Sequence, residues 1–434
     1  MKRIITSTGL VVLGAASLHA QNAAAPHLTS LQTTKPWSVS ASLRGFYDDN
    51  YVTRPSNSPT GLNKQDSFGF ELTPSVGFNW VLPQTYVGLS YAYGMRYYEA
   101  REKDRVDQTH QADLKLSHAF TERYKLDVTD SFVAAQEPEL LARPGGGIPV
   151  PIRVEGNNIR NMASANLNAG LTDRLGAMLG YSNTLYDYEK SGVASLSALL
   201  DRTEHLFTAN LRWQAQPSTV GILGYQYGIT EYDKKQILGK VLQIGPAGAL
   251  TIRDIHSDAR DSTSHYIYAG ADHSFDPQLN GSFRAGAQIT EYDNVSSDTQ
   301  VIPYADASLT WTYNPGSYVR MGVRHTRMAT DIGFITASTP TLDQEATTAY
   351  AEINHKITAK LNGNLITQFQ HGTFEAGGAN GQSEDLFMVG ANVSYEINKF
   401  LAAEAGYNYD RLDSDLADRS FTRNRVYIGI RATY

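Results

Sequence analysis

The sequence predicts an all-β protein, a single antiparallel up-and-down barrel that crosses a membrane with about 18 strands. Three observations predict it. From Trp37 onward, strand-length segments alternate apolar and polar residues. The connections between them are alternately short and long. The chain begins like an exported protein, yet no later segment supplies the run of about 20 apolar residues that a spanning helix needs.

The first segment, residues 1–20, reads as a secretory signal peptide. Lys2 and Arg3 precede a mostly apolar stretch from Ile4 to Ala16, and Ser17-Leu18-His19-Ala20 ends in a small residue suited to cleavage. Losing Lys2 and Arg3 takes the formal charge from -7 to -9. Residues 21–35 are polar and aperiodic and read as a periplasmic lead; 36–434 form the barrel. Hydrophobic residues make up 41% and mean hydropathy is -0.35, too polar for a bundle of spanning helices. There are 26 Tyr and 36 Gly, which suit aromatic girdles and tight turns. The absence of Cys excludes disulfides, thiolate metal sites and Cys nucleophiles.

The last segment shows the pattern most clearly. Val426, Ile428, Ile430, Ala432 and Tyr434 occupy alternate positions, with Arg425, Tyr427, Gly429, Arg431 and Thr433 between them. Successive strand side chains point to opposite faces, so one face is apolar and the other polar and cationic. Ending on an aromatic resembles the closing strand of bacterial outer-membrane barrels, which the barrel-assembly machinery reads.

The other strands repeat it. Phe68, Phe70, Leu72, Val76, Phe78 and Trp80 oppose Ser67, Glu71, Thr73, Ser75 and Asn79; Leu309, Trp311 and Tyr313 oppose Asp306, Ser308 and Thr310. Eight short turns, such as Thr121-Glu122-Arg123, Thr172-Asp173-Arg174 and Asn314-Pro315-Gly316-Ser317, alternate with nine long loops, which together connect 18 strands (16–18 allowing for ambiguity). An even number puts both termini on one side, expected to be the periplasm. The strands run about 10–16 residues, the length a tilted strand needs to cross a bilayer. Trp80, Tyr86, Trp213, Trp311, Tyr313 and Tyr434 lie near the short turns and are expected to form an interfacial girdle. Asp130 falls on the apolar face, which points to a bulge that switches faces. Around 219–229, Val220 and Ile222 compete with Leu223, Tyr225, Tyr227 and Ile229 for that face.

No constellation supports catalysis, and no cofactor or metal site is expected. Asp272-His273-Ser274 is the tightest cluster, but its alternation sends His273 outward and the other two inward. Gly145-Gly146-Gly147 lacks the Lys-Ser/Thr of a phosphate loop. Lumen-lining candidates are Arg96, Arg284, Arg320, Arg324, Arg425 and Arg431 among bases, with Glu71, Asp306 and Glu352 among acids. Counted over all strands, twelve inward bases, including Arg44, Lys115, Lys125, Arg160, Arg212 and Lys356, face nine inward acids, so the excess acid is assigned to loops such as Asp48-Asp49 and Asp413 to Asp418. Arg284, Arg320 and Arg324 are candidates for a basic ladder that sets ion preference. Loop 233–262 reads as an extra hairpin, and it and the Pro-rich loop 137–157 are the two candidate constrictions.

Leader, lead, an even number of Tyr-rich strands and a terminal aromatic together resemble the beta-barrel porin 2 type of outer-membrane protein. That resemblance implies a Gram-negative outer membrane and a pore, and it hands over no catalytic residues. Barrels of 16–18 strands leave an aqueous channel. The expected function is therefore passive diffusion of small hydrophilic solutes, weakly anion-preferring, with lipid and solute as partners and no nucleic acid. A conduit for exported polysaccharide and an outer-membrane hydrolase are the alternatives.

Overall fold

The computed structural model describes residues 35–58, 61, 63–136, 157–244, 250–295, 299–336 and 338–434. The leader, nearly all of the 21–35 lead, the Gly145 triplet and almost the whole 137–157 loop lie outside the described residues.

In chain order the strands are β1 (Trp37–Asp48), β2 (Ser67–Val81), β3 (Thr85–Tyr98), β4 (Val106–Ala119), β5 (Tyr124–Ala135), β6 (Asn158–Gly170), β7 (Leu175–Tyr188), β8 (Arg202–Gln216), β9 (Thr219–Tyr232), β10 (Ile237–Ile244) and β11 (Leu250–His256). They continue as β12 (Ser262–Ser274), β13 (Leu279–Tyr292), β14 (Gln300–Asn314), β15 (Ser317–Met328), β16 (Ile335–Thr336), β17 (Thr339–Pro340), β18 (Asp343–Lys356), β19 (Leu361–Glu375), β20 (Ser383–Glu396), β21 (Leu401–Ser414) and β22 (Phe421–Thr433). All but two short hairpins join one 18-stranded antiparallel sheet. The sheet closes on itself: β1 pairs with β2 on one side and with β22 on the other, Leu43 opposite Ile430 and Gly45 opposite Ile428. Closure leaves no strand edge to present unpaired backbone groups to lipid. The expected extra hairpin is β10–β11, paired from Ile244–Leu250 down to Ile237–His256.

The turn chemistry explains the short connections. Thr121, Thr172 and Thr358 each accept, on the hydroxyl, the backbone N–H groups two and three residues on, at 3.0–3.3 Å. Asp276 and Asn398 do the same with a side-chain carbonyl oxygen at 2.7–3.0 Å. These side chains mimic a backbone turn. In Asn314-Pro315-Gly316-Ser317, Gly316 sits at φ +79°, where a β-carbon would be strained.

Burial is inverted relative to a soluble protein. Leu43 is 48% exposed while its neighbour Arg44 is 7% exposed; Ile428 is 72% exposed while Gln368 is fully buried. The apolar outer face is the exposed one, and the polar inner face packs on itself. All eight histidines of the barrel strands lie on the outer face: His110, His118, His205, His265, His273, His325, His355 and His371.

Two expectations about register are corrected or resolved. Pairing around Asp130 is unbroken, opposite Leu114 on one side and Ala163 on the other, so there is no bulge. Asp130 therefore stays on the outer face, where Asn161 Nδ2 donates to it at 3.0 Å. In β9 the outward set is Leu223, Tyr225, Tyr227 and Ile229, while Ile222 packs inside against Tyr268 and Tyr304. Of the predicted girdle, Trp80, Trp213, Trp311 and Tyr434 are exposed, and Tyr313 donates or accepts at 2.7 Å with outward His355. Tyr86 departs from the expectation. It occupies the inner face and donates to Asn79 Oδ1 at 2.8 Å, because it falls one residue out of phase with outward Val87 and Leu89.

Candidate functional site: the barrel lumen

The inner wall is lined by ion pairs that cross strands. At the seam, Arg44 on β1 reaches Glu404 on β21 at 2.8 Å and Glu71 on β2 at 3.5 Å. Arg96 meets Glu71 at 2.9 Å, and Arg431 meets Glu404 at 3.2 Å. Two acids thus serve three arginines. Higher on the same seam, Asp48 is held by Arg423 at 2.6 Å and Arg425 at 2.7 Å, and Arg425 also donates to Tyr98 Oη at 2.9 Å. Asp48 is therefore part of the wall, the last residue of β1, and was misassigned to a loop. Asp413 too lies in a strand, β21, where it pairs with Arg411.

The three arginines expected to form a basic ladder are each neutralised. Arg284 turns toward β12 and meets Asp272 at 2.6 Å, with Arg212 on the same carboxylate at 3.4 Å. Arg324 donates through Nε to Asp306 at 2.8 Å. Arg320 approaches Glu352 at 4.0 Å, and Tyr318 donates to that carboxylate at 2.7 Å. Among the described residues, the inward bases Lys115 and Lys356 form no ion pair. Asp272 is thus committed to arginine, while His273 lies outside, 2.8 Å from Thr219 Oγ1; no relay joins Asp272, His273 and Ser274. No group of three His, Cys, Asp or Glu suited to a metal occurs among the described residues.

Glycines let bulky inner side chains lie along the wall. A β-carbon at Gly224 would sit 2.2 Å from Tyr268 Cε2, one at Gly406 2.3 Å from Tyr427 Cζ, and one at Gly322 2.5 Å from Tyr350 Oη. Each ring covers the glycine of a neighbouring strand, and Tyr268 is pinned there by a 2.6 Å hydrogen bond to Asn210 Oδ1. Such contacts are the cross-strand filling of a side-chain gap. They keep aromatic bulk off the channel axis.

At the long-loop end, segments fold over the opening. A short helix, Leu196–Leu200, starts at Ser195, whose hydroxyl accepts from Ala198 N. It packs on Tyr186 and Tyr188. Arg260, 1% exposed, donates to the carbonyls of Leu199, Thr330 and Leu342 and to Tyr232 Oη, tying three loops together. Below it a cavity of about 60 Å³ is lined by polar groups including Tyr266, Gln288, Arg327 and Asp343. Two loop aspartates sit beside this cluster. Asp201 accepts from Tyr188 N at 2.7 Å, and burial, with Asp187 and Asp233 nearby, pushes its carboxyl up to about 6. Asp261 accepts from Tyr232 N at 2.7 Å and is pushed up to about 6 by burial, aided by Asp258, Glu231 and Asp293. Arg260 escaped sequence reasoning because nothing in its local pattern distinguishes it from a solvated loop arginine. In the hairpin β10–β11, Leu242, Ile244, Leu250 and Ile252 are exposed, and Gln243 reaches Ser338 of the 329–342 loop at 3.4 Å.

The model of the family described as "Putative beta-barrel porin 2" matches residues 250–434. Among curated proteins no sequence matches. Solved structures similar to this chain include OccAB4 of Acinetobacter baumannii, at 13% identity and TM-score 0.43, covering 94% of this chain and all of that one. A BenF-like porin from Pseudomonas fluorescens Pf-5 is 9% identical with TM-score 0.44, covering 92% and 99%. OccK2 (OpdF) of Pseudomonas aeruginosa, solved in complex with glucuronate, is 10% identical with TM-score 0.45, covering 92% and 98%. This chain is a closed 18-stranded antiparallel β-barrel that resembles the Putative beta-barrel porin 2 family over residues 250–434.

Proposed function

We propose that this protein is a passive outer-membrane channel for small hydrophilic solutes. The observation that carries the reading is the closed 18-stranded wall whose inner face is polar and whose tyrosines lie against glycines. A barrel of this strand number is wide enough for water and small solutes to pass. Its short turns and termini face the periplasm in this reading, its loops face outward, and β22 is the strand read by the assembly machinery. Because nearly every inner arginine has a carboxylate partner, selectivity is weak. Lys115 and Lys356 tip it toward anions.

A polysaccharide conduit is the second reading. Inward Tyr266 packs on Tyr304 at 5.4 Å between ring centroids, lines the polar cavity and stays half-buried, a place where a sugar ring can stack. No hydrolytic role is proposed.

Single-channel recording of the refolded chain in a planar bilayer tests both readings. Ohmic steps with a small anion-directed reversal potential in a salt gradient are expected. A folded barrel that passes no current would reject the diffusion channel, and current blocked reversibly by long oligosaccharides would favour the conduit.

A further inference from the structure

The polar cavity below Arg260 holds an incomplete set of hydrogen bonds. Much of its wall is satisfied from within. Ser264 Oγ lies 2.9 Å from Thr290 Oγ1, and Gln288 Nε2 donates to Thr290 Oγ1 at 3.3 Å. Gln288 Oε1 accepts from Thr326 Oγ1 at 2.9 Å and from Arg327 N at 2.8 Å. Tyr292 donates its hydroxyl to Asp343 Oδ2. Arg327 and Asp343, which also line the cavity, are not fully satisfied. Among the described residues, Arg327 Nε and Nη1 and Asp343 Oδ1 are buried without a hydrogen-bond partner. Nη1 and Oδ1 stand 3.5 Å apart, an ion pair that lacks a hydrogen bond.

The chemistry that completes them is narrow. A guanidinium only donates, and a carboxylate only accepts. A single group that serves both must accept from Arg327 and donate to Asp343. A hydroxyl does so; a carboxylate has no proton to donate, and an ammonium has no lone pair to accept with. Charge points the same way. Arg327 Nη2 also meets Glu375 at 3.4 Å. Arg260 and Arg327 are thus offset by Asp343 and Glu375, and an ionic solute would bring unbalanced charge into a buried place. The cavity volume of about 60 Å³ has room for roughly two waters, hence for the two hydroxyls of a vicinal diol but not for a sugar ring. The ring is left to Tyr266, half-buried in the same wall and braced edge-on by Tyr304. The face of such an aromatic ring attracts the C–H side of a sugar.

We propose that this cavity is a binding site for a neutral saccharide, which places a vicinal diol between Arg327 and Asp343 and lays its ring on Tyr266. The proposal rests on the reading of the lumen as a path for hydrophilic solutes, and it names the class of solute that the loop end selects. Water also donates and accepts, so the sugar competes with it by replacing its hydrogen bonds and adding the aromatic contact.

The test uses the refolded full chain in a detergent without a sugar headgroup, near neutral pH, with maltose as the probe. Saturation-transfer NMR reads binding, and heat-modifiable migration on gels verifies that each variant is folded. Maltose is expected to bind saturably. Arg327→Met with Asp343→Leu removes both halves of the pair together and should weaken binding about tenfold. Tyr266→Leu should weaken it about fivefold, while Tyr266→Phe, which keeps the ring, should leave it nearly unchanged. The Tyr266 variants decide the matter if the double variant does not fold. Permethylated maltose, which has no hydroxyl to donate, should not bind. The proposal is overturned if the folded barrel transfers no saturation to maltose, or if binding survives loss of the Tyr266 ring. Equal binding of permethylated maltose, or acetate held by Arg327 in preference to maltose, would overturn it as well. Binding is measured with no current flowing. A barrel that conducts but ignores maltose therefore removes this site alone, and a silent barrel that binds maltose removes the diffusion channel alone.

Discussion

Arg44 and Glu404 are 360 residues apart in sequence and form two hydrogen bonds inside the barrel, at 2.8 and 3.1 Å. They lie on either side of β22, the strand that closes the sheet, so the pair clamps the seam. Glu404→Ala leaves Arg44 with only its longer contact to Glu71 and strands Arg431. Removing one partner of a buried pair costs about 3–5 kcal/mol, and lumen water lowers the expected loss to the bottom of that range. Urea unfolding of the refolded barrel in lipid checks it. The same replacement frees two positive charges in the wall, so the reversal potential should shift toward anions.

Gly224→Leu places side-chain atoms where the Tyr268 ring lies. The ring must leave the wall, break its bond to Asn210 and project inward. Single-channel conductance is expected to fall, and Tyr268→Ala in the unaltered background should raise it. Equal conductance in all three proteins would show that these rings do not border the conducting path.

Arg260→Met removes the donor to three loop carbonyls and to Tyr232. Each buried acceptor left unsatisfied costs about 1–3 kcal/mol, borne by the loops and not by the barrel. Limited proteolysis within 329–342 should become at least tenfold faster, with strand content by circular dichroism unchanged. Open-channel noise should rise as the loops over the opening loosen.

Asp201 and Asp261 make the loop cluster sensitive to rising pH. Both carboxyls titrate near 6 in the folded loops, above the ordinary aspartate value of about 3.9. The folded state therefore holds their protons more tightly than the unfolded state. The resulting stability is fully present below about pH 4 and is lost as pH rises through about 6. Its size is on the order of 2 kcal/mol per group, reduced by residual exposure. Hydrogen exchange of the Tyr188 and Tyr232 amides, corrected for intrinsic rate, should show more protection at pH 4.5 than at pH 7. Asp201→Asn with Asp261→Asn should keep the acid-state protection at both.

The strand count, the closing role of β22 and the inward positions of Arg284, Arg320 and Arg324 could be read from the sequence because each depends only on parity along a strand. Their partners could not. Which carboxylate meets Arg284 depends on the shear between β12 and β13, and shear leaves no trace in either strand alone. Asp48 was misread because it is the last residue of a strand beside a turn-like Asp49-Asn50. Tyr86 was misread because nearness to a turn was weighed above alternation. Alternation alone makes Asp130 read as a bulge, because the donor that meets its carboxylate on the outer face, Asn161, lies on another strand.

The outward placement of all eight barrel histidines has an electrochemical consequence. Imidazole is the side chain that ordinarily changes charge near neutrality, and the described wall of the channel has none. Its fixed charge is set by guanidinium, ammonium and carboxylate groups. Between about pH 7.5 and 8.5, where Asp201 and Asp261 are also ionised, the channel should therefore behave as a constant electrostatic filter, with ion preference and conductance independent of proton concentration.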